Sequence, residues 1–457
     1  MSRNVIRLAP PVAVLLLLGL LLRDSGFPRR ETEPPPRRLG TLERMALPRL
    51  RAVQADVARL AARRRNLPPQ PGLTDYRVIF HAHAEDSVHT AGTRPEMLAG
   101  ARPAGVNAIF LSDHFRPPRD FMDSWRGLHD GVLFIPGSEW RGCLIHPPHS
   151  VMSQMEAPLD ELLGKVRDDG GLAFLSHIEE RPDHPMDQLD GLEIYNRHYD
   201  AKREPATLLG LALRLTSPAG LAELQEAVKL FPGELYAAGM DYPTDYLAKW
   251  DRELAFRPLT GVAANDAHHN QVFTLTKLDD STVSLGTVVD PPEKRQRFNS
   301  LTRPGLNELT RGLTNGAEIA RLDFDPYPVA FRAVCTHVLA PELTEPALRD
   351  AVRAGRVYVS HDWMGDATGF QFVATRSGGV TGQMGEAVEA GSVRLEARLP
   401  LPCSRIRLLR DGRQVALGNG YELTHHARQP GAYRVEGWLL LDGEERIWVL
   451  SNPLYVR

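Results

Sequence analysis

Between Tyr76 and His269 the chain alternates short apolar runs with stretches of helical periodicity. The runs are YRVIF, VNAIFLS, GVLFIP, GLAFLS, GLEIY and TGVAA, and an intervening stretch such as PLDELLGKVRDDGG carries its apolar residues on one helical face. That order predicts parallel strands joined by crossover helices, an α/β layout. Residues 200–258 read as a mostly helical insertion. After about residue 320 the pattern changes. TEPALRDAVRAGRVYVSHD predicts a helix followed by a strand, and GFQFVATRSGG predicts another strand. From 386 onward the segments alternate strictly, with Asp-Gly turns at 411 and 442, which predicts a small β-sandwich.

Upstream of the alternating region, Leu50, Val53, Val57 and Leu60 share one face of a basic helix opened by Pro48. The stretch FPRRETEPPPRRLG before it is a linker, too rich in proline and charge to hold a core. At the amino end, Arg3 and Arg7 precede a continuous apolar run from Leu8 to Leu22. This predicts an export signal; with no small-x-small cleavage site after it, an uncleaved membrane anchor is the alternative. The expected organisation is therefore 1–26 signal peptide or membrane anchor, 27–70 linker and basic helix, 71–384 catalytic unit with the insertion, and 385–457 an immunoglobulin-like sandwich. The expected location is exported, in the cell envelope, periplasm or extracellular space.

Composition narrows the chemistry. The 457 residues carry a formal net charge of only -3, so no nucleic-acid partner is indicated. The three cysteines, Cys143, Cys335 and Cys403, are far apart and form no CxxC pair, which sets aside a thiolate zinc site. Histidine and carboxylate remain, and they gather where the apolar runs stop. VIF leads into His81 and His83, AIFLS into Asp113 and His114, LFIPGS into Glu139, AFLS into His177, and GVAAN into Asp266 and His268. In a barrel of parallel strands those ends share one face, so distant positions converge. The two-residue period of a strand would aim His81 and His83 to the same side. Nitrogen and oxygen ligands of this kind suit Zn, Mn or Fe. His149, ten residues after Glu139, is an intermediate candidate. His146 and His198 are read first as structural.

The segments FHAHAEDSVHT, LSDHF, PGSEW, LSHI and ANDAH, in this order, resemble the successive motifs of the PHP (polymerase and histidinol phosphatase) superfamily of metal-dependent phosphoesterases. The resemblance spans about residues 76 to 270. It implies a distorted, TIM-like (β/α)7 barrel with two or three divalent metal ions at the C-terminal ends of its strands. It further implies that His81, His83, Glu139 and Asp266 hold a first ion, that Glu139 bridges to a second held by His149 and His177, and that His89, His114 and His268 match the ligands of a third. The implied activity is hydrolysis of a phosphorylated small molecule or phosphodiester by a metal-bridging hydroxide. Asp113 would orient His114 or handle protons. Arg116, Arg119, Arg141, Arg181 and Arg197 are candidate phosphate clamps, with Arg116 and Arg181 leading because each follows a ligand closely. Two other readings stand beside this one: a metal amidohydrolase, and a non-catalytic envelope binding protein on the same scaffold.

Overall fold

The computed structural model describes residues 34–457 except Pro36, Ser124 and Ser392; the side chains of Ala201, Lys202 and Pro205 are also left aside. The expected signal or anchor, residues 1–26, lies outside the described residues. Among the described residues no helix is long and apolar enough to cross a membrane.

The architecture is mixed α/β, with one large mixed sheet and a second, four-stranded antiparallel sheet. The strand Thr74–Ala82 pairs in parallel with Ala108–Leu111, which pairs in parallel with Val132–Ile135. A short continuation, Ser138–Trp140, pairs antiparallel with Cys143–His146, and that strand pairs antiparallel with Leu172–Leu175. Parallel pairing then resumes through Gly191–Asn196 and Thr260–Ala267, and the last of these bonds back to Thr74–Ala82. The circuit of pairings therefore returns to its first strand.

Both faces of these strands are buried, which is why they read as continuous apolar runs. Val78, Phe80, Phe110, Ile135, Leu144, Phe174 and Val262 share one core, closed off by Leu348, Ala351 and Val352 of the helix Glu345–Arg353. Alternate residues, including Ile79, Ile109, Phe134, Ile145 and Leu175, enter a second core. Phe80 and Phe110 stack with ring centroids 4.3 Å apart. His146 points into this packing, edge-on to both rings, and is fully buried. Burial first, then Arg349, pushes its pKa down to about 3, so it is a neutral core residue.

The 200–258 region holds the helices Pro205–Leu215, Pro218–Leu230, Pro232–Tyr236 and Thr244–Leu254. After it comes the antiparallel sheet of Val272–Lys277, Thr282–Thr287, Gln296–Asn299 and Glu318–Asp323, which the apolar pattern did not announce. The carboxy-terminal strands are not a separate ladder. The N-terminal half of Thr74–Ala82 pairs antiparallel with Cys335–Ala340, which pairs with Val357–Ser360, which pairs with Glu444–Ser451. Gln371–Arg376, ahead of residue 385, likewise belongs with these strands, because it pairs with Val393–Arg410. Trp448 packs in the core with its indole N–H donated to the Gly365 carbonyl.

One buried ion cluster ties this ladder together. His337 presents Nδ1 to Asp75 at 2.7 Å and Nε2 to Asp362 at 3.1 Å, and stacks on Tyr358. Burial opposes its charge, but Asp75 and Asp362 outweigh it and raise the pKa from 6.5 to about 9. A raised histidine pKa stabilises the fold fully below the unfolded value near 6.5 and loses that contribution as pH climbs to about 9. We expect denaturant titrations at pH 6, 7.5 and 9 to show about 3 kcal/mol lost from this source. His337→Gln should be less stable at pH 6 and should show a flatter pH slope than the parent; an unchanged slope would refute the assignment.

Candidate metal centre

The strand ends deliver the polar residues to one place, but not by simple strand alternation. His81 has φ 61°, in the left-handed region, and the ladder shifts register between Phe80 and Ala82 on both neighbouring strands. His177 (φ 46°) and Asp266 (φ 49°) share that conformation, uncommon for residues other than glycine. The two-residue period is thus not what brings His81 and His83 together. At these three positions a local kink re-aims the side chain.

Three overlapping groups of ligand atoms result: His81, His83 and Glu139; His81, His177 and Asp266; and His83, His114 and His268. Glu139 and Asp266 each divide their oxygens. Oε2 of Glu139 faces Nε2 of His81 at 3.3 Å, of His114 at 3.6 Å and of His83 at 3.7 Å, while Oε1 faces Nε2 of His177 at 3.2 Å. Oδ1 of Asp266 faces Nε2 of His81 at 3.3 Å and of His83 at 3.6 Å, while Oδ2 faces Nδ1 of His198 at 2.9 Å and Nε2 of His177 at 3.6 Å. His81 Nε2 and Asp266 Oδ1 are buried and have no hydrogen-bond partner. Such atoms, on imidazole and carboxylate, fit divalent metal coordination.

Two further carboxylates orient the imidazoles. Glu193, fully buried in its strand, accepts from His81 Nδ1 at 2.6 Å, from the His177 backbone N–H at 3.0 Å and from Asn196 Nδ2 at 2.9 Å. Asp86 accepts from Nδ1 of both His83 and His114 at 2.8 Å, and from Thr90 Oγ1 at 2.6 Å. With Nδ1–H donated to a carboxylate, Nε2 is the free ligand nitrogen. Electrostatics agree. Burial opposes charge on His81, yet Asp266, Glu139 and Glu193 hold its pKa well above the ordinary value. At His177 burial is likewise outweighed, by Glu139 and Glu179 first, and the pKa rises to about 11. Glu139 and Asp266 are held well below the carboxylate range: burial would raise them, and the surrounding imidazoles, His81 foremost by charge, overcome it. The cluster therefore favours positive charge between its nitrogens and oxygens. His268, stacked on His83, is the exception, lowered to about 4 by burial and then by His83.

Of the residues singled out from sequence, His81, His83, His114, Glu139, His177, Asp266 and His268 meet here. His149 is exposed and takes no part in the grouped ligands; His198, first read as structural, approaches Asp266 and His177 instead. His89 is exposed at the cleft mouth, outside the ligand groups. Asp113 was expected to orient His114, but Asp86 does so. Asp113 pairs with Arg94 and Arg119 behind the site, because its side chain leaves the short Asp113–His114 strand on the opposite face from the ligand beside it. Arg116 is exposed, Arg181 lies against Gly142 and Glu180, and neither lines the cleft that holds the ligands. Arg197 does line it, with Nε and Nη1 buried and lacking hydrogen-bond partners. Glu193 and Asp86 were missed, although an isolated acid inside the apolar run GLEIY and one three residues after His83 were visible signals.

No family model matches the chain, and no curated protein matches it. Among solved structures, a two-domain protein containing a predicted PHP-like metal-dependent phosphoesterase from Bacteroides vulgatus aligns with 13% identity. The alignment covers 84% of this chain and 97% of that one, with a TM-score of 0.33. Neither figure carries a residue role or an activity from that protein to this chain.

The geometry makes a test of binding direct. Purified full-length protein, dialysed against trace Zn or Mn and assayed by mass spectrometry, should retain metal. Glu193→Gln and Asp86→Asn should weaken affinity about 10- to 100-fold, while His149→Ala leaves it unchanged. Equal retention in all four proteins would show that the cluster is not a metal site.

Proposed function

We propose that the protein is a metal-dependent hydrolase, most specifically a phosphoesterase, built on a distorted (β/α)7 barrel formed by the closed circuit of strands. The observation that carries this reading is the division of Glu139 and Asp266: each carboxylate turns its two oxygens toward different sets of imidazole nitrogens, so both residues would be available to more than one ion. Bound divalent ions supply Lewis-acid charge and a nucleophilic water at neutral pH, with Zn, Mn or Fe as the candidates. The residues of the chain do the rest. Glu193 and Asp86 fix the tautomers of His81, His83 and His114, so that their Nε2 atoms stay aimed into the cleft. His177, with His198 beside Asp266, would offer nitrogens to a second ion, and His83, His114 and His268 would offer theirs to a third. Arg197 lines the cleft and keeps two buried guanidinium nitrogens without hydrogen-bond partners, and its charge would steady an anionic substrate group. The substrate class that fits is a phosphorylated small molecule or phosphodiester. Location in the cell envelope, with membrane attachment through the amino-terminal segment, belongs to the same proposal and is supported by the apolar run from Leu8 to Leu22.

Assays with p-nitrophenyl phosphate and its bis-ester should show turnover that depends on added Mn or Zn and disappears on chelation. Glu139→Gln should lower the rate by at least about 100-fold. Cleavage of simple amides without either phosphoester would replace this reading with an amidohydrolase, and absence of turnover with metal bound would favour a binding protein.

A further inference from the structure

The cleft that holds the ligand cluster has a second half of opposite character. Its volume is about 710 Å³, within the range of roughly 300–1,000 Å³ typical of pockets that bury whole organic ligands and far beyond what a phosphate group fills. Besides the imidazoles and carboxylates the lining includes an apolar group, Leu208, Ala212 and Leu215 from the helix Pro205–Leu215 with Phe273 and Leu285 from the antiparallel sheet, and the same sheet region adds polar Thr287, Asp290 and Lys294. Ala212, Leu215 and Leu285 are buried in the core shared by these two elements, so their presence has a packing explanation. Leu208 does not: it is 57% exposed, lines the cleft, and together with Phe273 also lines a small adjoining hollow between the helix and the sheet. Leu209 and Leu213 of the same helix are exposed as well, but only Leu208 of the three lines this cleft, where a bound hydrocarbon would remove it from water.

We infer that the substrate is amphiphilic, with its hydrolysable head at the histidine–carboxylate cluster and a hydrocarbon portion lying along Leu208 and Phe273. The inference rests on the proposed catalytic reading for the identity of the head group, but the apolar track exists whether or not turnover occurs. Leu208 and Phe273 line the same cavity as the ligand cluster, so one small molecule seated there reaches both.

Binding separates the two ideas. Full-length, Mn-loaded protein is titrated calorimetrically with methyl-, butyl- and octylphosphonate, all below micelle-forming concentrations, in parallel with turnover of p-nitrophenyl phosphodiesters bearing the same alkyl chains. Affinity should rise about two- to fourfold per methylene until the track is filled. Leu208→Asp should abolish that preference, whereas Leu440→Asp, at a leucine 49% exposed on a carboxy-terminal strand, should preserve it. A Leu208-dependent preference without turnover would uphold the amphiphile and reject the phosphoesterase reading. Turnover with equal affinity for methyl- and octylphosphonate would do the reverse. No chain-length preference in binding, or one that survives Leu208→Asp, overturns the inference.

Discussion

Four carboxylates buried within one cluster set the terms for everything around them. Glu139, Glu193, Asp86 and Asp266 have side chains at most 14% exposed. Ionised acids at such depth are costly unless opposed by positive charge and hydrogen bonds. Glu193 and Asp86 are satisfied by donors from the chain itself, a backbone N–H, an amide and a hydroxyl beside the imidazoles. Glu139 and Asp266 are different, because their oxygens face ring nitrogens, some on His81, His83 and His114, which the first pair orients, and others on His177, His198 and His268. The outer acids thus determine which nitrogen is offered, and the inner acids determine where positive charge is best placed.

Convergence also has a backbone cost. Left-handed φ at His81, His177 and Asp266 costs on the order of 1–2 kcal/mol at each position relative to ordinary strand geometry. Surrounding pairings hold the kinks in place. Ala82 on the far side of the first kink pairs with both Leu111 and Ala267, and the His83 N–H donates to the Ala267 carbonyl, so the chain re-enters the ladder at once. The lower half of the same strand is locked antiparallel to Cys335–Ala340. One strand therefore carries two ligands at one end and anchors the carboxy-terminal half of the protein at the other.

Much of this was legible in the sequence, for a physical reason. Strands buried on both faces must be apolar throughout, so a polar residue at the end of such a run stands out, and His81, Glu139, His177 and Asp266 were found that way. What stayed hidden depended on side-chain direction or on pairing across long separations. Asp113 and Asp86 are both acids near His114, and only the fold shows that one faces Arg94 and the other the imidazoles. Periodicity finds Cys143–His146 apolar but cannot say that it runs antiparallel between its neighbours, or that this turn of the chain carries His146 into the core and His149 out to solvent. The Val272–Lys277 sheet mixes threonine with apolar residues and leaves a weaker signal than the central strands.

That sheet and the helical insertion matter because they complete the site from outside the strand circuit. The strand ends supply charge, and on the proposed reading nothing in their chemistry would distinguish one anionic substrate from another. Leu208 on the insertion and Phe273 on the sheet come from elements about 65 residues apart, yet they face the same cleft as Glu139 and Asp266. Since the charged half is fixed by the buried network described above, it tolerates little change without leaving an acid unpaired. The apolar half carries no such constraint, because exchanging one hydrophobic side chain for another there leaves no buried charge exposed. On the proposed reading, selectivity would accordingly be free to reside in the insertion and the sheet, while the strand ends keep an arrangement that depends on all of their members at once.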